Sequence, residues 1–291
     1  MSTPQSAILA PVPPLAHYLS LNLTPGANAR AVLGALRGVA DGERVAVGVG
    51  PSLALALGAS IDGLRTFPSL AGARRAIPAT PADLWIWLRG DDRGALFHLQ
   101  RRVEAVLAPA FEVAQRIDAF RHGEGRDLTG YEDGTENPQG EDALEAAIVG
   151  KGALQGSSFV AVQLWRHRFD LFDAMSAAEQ DDAIGRRRSD NRELDDAPPS
   201  AHVKRTAQES FEPAAFVLRR SMPWADGDRA GLVFVAFGAS LDAYEAQMRR
   251  MAGLDDGIED ALFRFTLPVS GAYYWCPAMA GGRLDLRPLG L

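Results

Sequence analysis

Apolar positions along the chain follow two periods that alternate in a repeated order. In the first half, short apolar and β-branched runs at 17–23, 44–50, 83–89 and 111–120 predict strands, and three- and four-residue spacing predicts helices at 27–40 and 91–107. Leu96, Leu99, Val103 and Val106 mark the face of the second helix, while Leu84-Trp85-Ile86-Trp87-Leu88 suits a buried strand. The second half repeats this order, with strands at 158–165, 215–222, 231–237 and 271–276 and helices at 171–184 and 241–254. Ser240 is the expected N-cap of the last helix and Gly253 its terminator. Two β-α-β-β-α-β runs in series predict an α+β fold of duplicated ferredoxin-like units, antiparallel sheets with helices packed on them, divided as 1–150 and 151–291.

Two long segments, 121–156 and 185–213, fall outside the repeat and read as loops. Connections of that length carry function more often than not, so the chemistry is sought there. The first holds Gly130-Tyr131-Glu132-Asp133-Gly134-Thr135-Glu136-Asn137-Pro138. Asp133-Gly134 and Asn137-Pro138 are turn formers, which is the plain reading, and the alternating acids of a calcium loop are missing. The second segment sets His202 after the stiff pair Pro198-Pro199. Of the other histidines, His17 falls in a strand, His98 in a helix and His122 at the start of a polar loop. His167 stands between Arg166 and Arg168, which would repel a cation, so His202 is the histidine chosen. A third stretch, Leu218-Arg219-Arg220-Ser221-Met222-Pro223, places adjacent arginines on opposite faces of a strand, and an inward arginine needs a partner. The run Arg186-Arg187-Arg188 is either a solvated face or a clamp for anionic groups.

Composition narrows the field. The 291 residues carry 30 basic and 37 acidic side chains, a net charge of −7, which disfavours nucleic acid as a partner. The single cysteine, Cys276, excludes an intrachain disulfide and any site built from paired thiolates. No apolar run reaches the roughly 18–20 residues of a membrane span, and the start lacks a basic region before an apolar one, so a soluble, unexported, cytoplasmic protein is expected. Histidines, carboxylates and a cofactor are left to do the chemistry.

Taken in order, the three segments resemble the dye-decolorizing peroxidases, specifically their bacterial B-type branch. Gly130-Tyr131-Glu132-Asp133-Gly134 is similar to the family's Gly-x-x-Asp-Gly motif, Ser200-Ala201-His202 to its proximal haem-ligand segment, and Arg219-Arg220-Ser221 to its distal-arginine strand. The resemblance implies a peroxidase with one haem b per chain, bound in the C-terminal half, that reduces hydrogen peroxide through an oxidised iron-oxo state. Small or bulky one-electron donors, dyes and phenols among them, would be oxidised. It further implies that His202 ligates the iron, that Asp133 is the distal acid–base group and Arg219 its charge-stabilising, haem-facing neighbour. Ser221 stands where relatives often carry asparagine, Arg186 resembles a propionate contact, and Asp260 is the candidate partner for the second ring nitrogen of His202.

A homo-oligomer is implied, along with a free cytosolic protein, because the chain runs only from Gly281 to Leu291 after the last strand, short for a shell-targeting extension. Tyr131, Trp165, Trp224 and Trp275 are the candidates for carrying electrons to bulky dyes at the surface. Alternatives are a haem-binding or haem-handling protein with incidental peroxidase activity, a cofactor-free interaction module, and another haem enzyme on the same scaffold such as a chlorite dismutase relative. Paired Asp133 and Arg219 argue against the first and last of these, since a carrier has no use for a distal acid–base pair.

Overall fold

The computed structural model describes residues 2–291. Along the chain run α1 (Ser6–Leu9), β1 (Leu15–Leu23), α2 (Ala29–Leu36), β2 (Val45–Val49), α3 (Pro51–Ala56), β3 (Leu84–Gly90), α4 (Arg93–Leu107), β4 (Phe111–Phe120) and α5 (Gly140–Ala147). They are followed by β5 (Ser158–His167), α6 (Phe169–Asp173), α7 (Ala177–Ile184), α8 (His202–Arg205), β6 (Leu218–Arg219), β7 (Met222–Asp226), β8 (Arg229–Gly238), α9 (Asp242–Met251), β9 (Thr266–Pro268) and β10 (Ala272–Cys276).

The first half of the sheet has the order β4-β1-β3-β2. In the second, β6 and β7 lie end to end along β8, and β9 and β10 lie end to end along β5, so its order repeats that of the first. The duplicated ferredoxin-like architecture expected from the hydrophobic pattern is therefore present, with every pairing antiparallel. Two narrow seams join the halves, Ala119 opposite Trp224 and Val49 opposite Trp275, and close the strands into a ring of eight.

Each strand divides its side chains between two cores, because successive residues point to opposite faces. Tyr18, Trp85, Trp87, Val160, Phe237 and Tyr274 fill the inside of the ring. Leu19, Leu21, Ile86, Leu88 and Phe159 face outward and are covered by the helices. With both faces buried, strands such as β3 read as unbroken apolar runs rather than alternating ones. Inside the ring Tyr18 stacks on Trp85 and Trp87 at centroid distances of 6.1 Å, and the Arg89 guanidinium lies 4.8 Å from the Trp87 ring centre.

Several elements differ from the sequence expectation for identifiable reasons. The helix expected at 171–184 is two helices: Ser176 and Glu179 form a reciprocal capping box that starts α7 afresh. The helix expected at 27–40 is shorter, α2 beginning where the Asn28 side chain accepts from the Ala31 N–H. The strand expected at 215–222 is interrupted between Arg219 and Met222. Residues 121–156 are not all loop, since Gly140–Ala147 is helical. Ser240 lies one residue outside the cap of α9, its hydroxyl accepting from Asp242 N at 3.2 Å, while Gly253 does terminate that helix at a φ of +70°, donating to the Arg250 carbonyl.

Removing the large ring at the centre of the interior leaves a cavity that its packed neighbours cannot fill. Trp87→Ala is expected to lower the unfolding free energy by about 3–5 kcal/mol, read as an earlier urea midpoint with little change in slope.

Candidate active site

The outer face of the second half carries a cleft, open on one side, with about 1630 Å³ of unfilled space when the solvent at its mouth is included. Strand alternation builds its floor: Gln163, Trp165 and His167 project from β5, and Leu232 and Phe234 from β8. Met248 and Met251 of α9, together with Leu262 and Phe265, extend the apolar wall. Polar groups come from the two inserted segments, with Asp133 and Glu136 on the first and Arg186, Glu193 and His202 on the second. A large, mainly apolar cleft with a few converging polar groups is the usual form of a cofactor site.

His202 opens α8, and its ring is held from behind. Its Nδ1 lies 2.8 Å from Oδ2 of Asp260, whose side chain is completely buried. The other oxygen of Asp260 accepts from the Leu262 N–H at 2.8 Å, so the carboxylate is fully engaged. His202 borders the cleft with its side chain one-fifth exposed, and its Nε2 has no hydrogen-bond partner among the described residues. The short helix is tied down at its other end, where Arg205 makes a bidentate pair with Asp256 at 2.7 Å and also donates to the Arg250 carbonyl. Gly185 lets α7 approach this segment, since a Cβ there would stand 2.3 Å from Cγ2 of Val203 and the backbone has a φ of +90°.

Asp133 and Arg219 also meet at the cleft, 3.4 Å apart and each about one-fifth exposed. The motif around Asp133 is pinned to the interrupted strand by Asn137, whose amide accepts from Arg219 N at 2.8 Å and donates to Arg219 O at 3.0 Å. These bonds satisfy the strand backbone where the sheet ladder breaks. Gly134 has a φ of +77°, and a Cβ there would approach Nδ2 of Asn137 to 2.7 Å, which explains the glycine after the aspartate. Gln208 adds a second tie, donating to Glu136 O and accepting from Val217 N.

Arg186 lines the cleft and is held by Glu136 at 2.5 Å and Glu193 at 3.3 Å. Glu193 also binds Lys204 at 3.1 Å. Ser221 does not border this cleft; it lines an adjoining cavity with about 860 Å³ of unfilled space that shares Asp133 and Arg219 with it, and its hydroxyl lies 3.4 Å from Val235 N. Of the sequence candidates, His202, Asp133, Arg219 and Arg186 share one cleft, with Asp260 directly behind His202.

Charge repulsion from neighbouring arginines was a poor guide to His167. It lies on the cleft wall, with Arg166 turned to the opposite, exposed side of β5. Its Nε2 is 2.9 Å from Asp127 and its Nδ1 2.8 Å from Thr266 Oγ1, while Thr129 donates to the second oxygen of Asp127. Alternation along β5 was the signal that could have found it. Burial alone would raise the Asp127 carboxyl, but the bonds from His167 and Thr129 outweigh it and hold the group below the ordinary carboxylate value. The four aromatics considered as surface electron carriers are all buried: Tyr131 at 4%, Trp165 at 6%, Trp224 at 6% and Trp275 at 1% exposure. Trp165 and Tyr131 border the cleft. Trp224 donates instead to the Trp165 carbonyl, and Trp275 packs beneath the helices.

Comparison with known proteins gives one consistent answer. The family model described as "Dyp-type peroxidase, C-terminal" matches residues 124–281, more than half of the chain. A dye-decolorizing peroxidase of Mycolicibacterium paratuberculosis is 30% identical over 294 residues, covering 94% of this chain and 83% of that protein. Among solved structures, a dye-decolorizing protein from V. cholerae superposes with a TM-score of 0.85 at 31% identity, covering 94% of this chain and 96% of the other. A Rhodococcus jostii RHA1 DypB variant in complex with heme superposes with a TM-score of 0.84 at 26% identity, covering 93% and 95%.

The Asp127 pair makes a prediction about stability. Its depressed folded value contributes stability that is present above the unfolded value of ~3.9 and is lost as the pH falls through the lower folded value. Asp127→Asn should therefore melt at a lower temperature than the wild type at neutral pH, and the gap should narrow as the pH is taken from about 5 to about 3.

Proposed function

This chain belongs to the dye-decolorizing peroxidases and is a haem peroxidase, and from that premise we propose that His202 would hold the haem iron, with Asp133 the acid–base group for hydrogen peroxide and Arg219 its electrostatic partner. Asp260 orients His202, and Arg186 would pair with a haem carboxylate. The observation that carries this reading is the His202 ring: one nitrogen bound to a fully buried carboxylate and the other unpaired at a cleft that Asp133 and Arg219 also border.

The residues suit the group they would hold. The cleft has space for a macrocycle, an apolar floor from Trp165, Phe234 and Phe265, and a guanidinium, Arg186, among the carboxylates at its edge. A histidine that donates its Nδ1 proton to a carboxylate has a fixed tautomer and presents Nε2 as a stronger electron donor to a metal. No thiolate is required, in keeping with the burial of Cys276 inside the ring. Bound haem supplies an iron centre that accepts the oxidising equivalents of peroxide and passes them on one electron at a time.

The protein's own part is to move a proton and stabilise charge. Cleaving the O–O bond of hydrogen peroxide requires the proton on the inner oxygen to reach the departing one, and the Asp133 carboxylate can accept it and return it. Arg219, permanently charged and 3.4 Å away, stabilises the negative charge that builds on the departing oxygen. Asn137, four residues after Asp133, fixes the relative position of the two groups by bonding to the backbone of Arg219. Dyes, phenols and other one-electron donors are the proposed reducing substrates.

The reading is tested by three variants reconstituted with haem. His202→Ala should lose the Soret band on gel filtration. Asp133→Asn should retain haem but react with peroxide slower by on the order of 10²–10⁴, and Arg219→Leu slower by on the order of 10²–10³. Haem retained by the first variant with an unaltered spectrum, or peroxide reactivity unchanged in both of the others, would falsify the assignment.

A further inference from the structure

The cavity that adjoins the cleft carries more positive charge than its partners neutralise. Asp133, Arg219 and Leu232 border both spaces, while Arg121, Arg126 and Arg220 line the adjoining one alone. Among the described residues on its wall the only acid is Asp133, which stands 3.4 Å from Arg219. Arg126 is engaged elsewhere, by Glu132 at 3.2 Å and the Gly130 carbonyl at 2.8 Å. Arg121 and Arg220 are left without an acid.

Arg220 is the more constrained of the two. Sequence places it on the opposite strand face from Arg219, but the strand ends at Arg219 and both arginines border this cavity. The half-buried guanidinium of Arg220 is held by carbonyls alone: Nε donates to Ile8 O at 3.1 Å, Nη2 to Leu9 O at 2.8 Å and Nη1 to Arg219 O at 3.1 Å. These bonds fix its direction, supply no negative charge and leave part of its donor fork unused. Burial, with the Arg89 cation nearby, pushes the group down to about 10, so it stays charged at neutral pH. A cation taken from water in this way is costly until an anion joins it. Arg121 is exposed, next to the exposed His122, and its guanidinium has no hydrogen-bond or acidic partner among the described residues. Leu9, Val12, Met222 and Pro223 add apolar surface to the same cavity.

We propose that this cavity is a subsite for small organic anions, with Arg121 and Arg220 taking a carboxylate and the apolar wall its hydrocarbon, and that it selects peroxides bearing a carboxylate. Guanidinium forks match the planar carboxylate, and the apolar surface favours an organic anion over an inorganic one. Because Asp133 and Arg219 form the shared wall, a molecule seated by its carboxylate lies beside the pair assigned to peroxide cleavage. With a peroxy acid, the O–O bond breaks with its electron pair leaving on the acyl oxygen. The hydroperoxy proton, carried by Asp133, joins that oxygen, and the terminal oxygen stays with the bound haem. The peroxy acid is reduced to its carboxylic acid, and the haem is oxidised by two electrons. The seat for the anion is independent of haem, whereas the selection of peroxides rests on the haem reading above.

Calorimetric titration of the haem-loaded protein with phthalate tests the seat. Phthalate should bind the wild type without shifting the Soret band, about tenfold or more weakly in Arg220→Gln, and about two- to fivefold more weakly in Arg121→Gln. Arg121 makes no side-chain bond in the fold, so its variant carries the test if Arg220→Gln fails to fold. Stopped-flow measurement at the Soret band, with monoperoxyphthalate beside peroxybenzoic acid, tests the selection: the wild type should favour the carboxylate-bearing oxidant, and both variants should lower that preference. Absence of phthalate binding, equal binding in both variants, or a Soret shift that puts phthalate on the iron overturns the seat. Inorganic phosphate binding as tightly as phthalate overturns the organic class, and a preference unaltered in both variants overturns the selection. A wild-type Soret band that responds to neither peroxy acid nor to hydrogen peroxide overturns the haem reading itself, while the titration still decides the seat.

Discussion

The buried carboxylate of Asp260 is the constraint around which the cleft is organised. A fully enclosed acid is costly unless its oxygens are bonded, and both are: one to the His202 ring and one to the Leu262 N–H. The carboxylate itself is positioned by backbone, since Asp260 N donates to Met251 O at the end of α9 and Ala261 N donates to Ser200 O. Three separate pieces of chain, the end of α9, the turn after it and the proline-stiffened segment before α8, thus converge on one imidazole. Arg205, paired with Asp256, repeats the clasp one turn further on. The orientation of His202 is therefore set by contacts that span about sixty residues of sequence, with nothing left to the short helix that carries it.

The sheet contributes in a different way. Because the ring of strands is packed with aromatic side chains on the inside, its outer face is a rigid surface on which the cleft floor is laid by simple alternation. In the first half that face is covered by helices; in the second, the segments 121–156 and 185–213 border it as well. These segments line the gap between sheet and helices with charge. The break in the strand after Arg219 belongs to the same design: Arg220 N still donates to Val235 O, while Asn137 takes both backbone groups of Arg219 and docks the Asp133 loop against them.

Much of this was legible in the sequence. The periods of 83–89, 91–107 and 158–165 fixed the repeated unit because strand and helix periodicities are local properties, and the Gly-x-x-Asp-Gly motif and the Ser200-Ala201-His202 segment marked the site through a family resemblance. What escaped notice depends on contacts between distant residues. His167 looked unsuitable because its neighbours in sequence are arginines, yet alternation turns Arg166 away and Asp127, forty residues earlier, supplies the bond. The Ser176 cap that splits α6 from α7 is a Ser-x-x-Glu pattern hidden beneath a continuous apolar spacing. The burial of Trp224 and Trp275 follows from their places at the two seams, which only the closed ring reveals.

The proposed link from Asp260 through His202 to a haem iron can be read as a bond vibration. In the ferrous, haem-loaded protein, resonance Raman spectroscopy should show an iron–histidine stretch at the high frequency of a histidine whose Nδ1 proton is drawn toward a carboxylate, and Asp260→Asn should lower it. An iron–histidine stretch that keeps its frequency in Asp260→Asn, or persists in His202→Ala, would contradict the account.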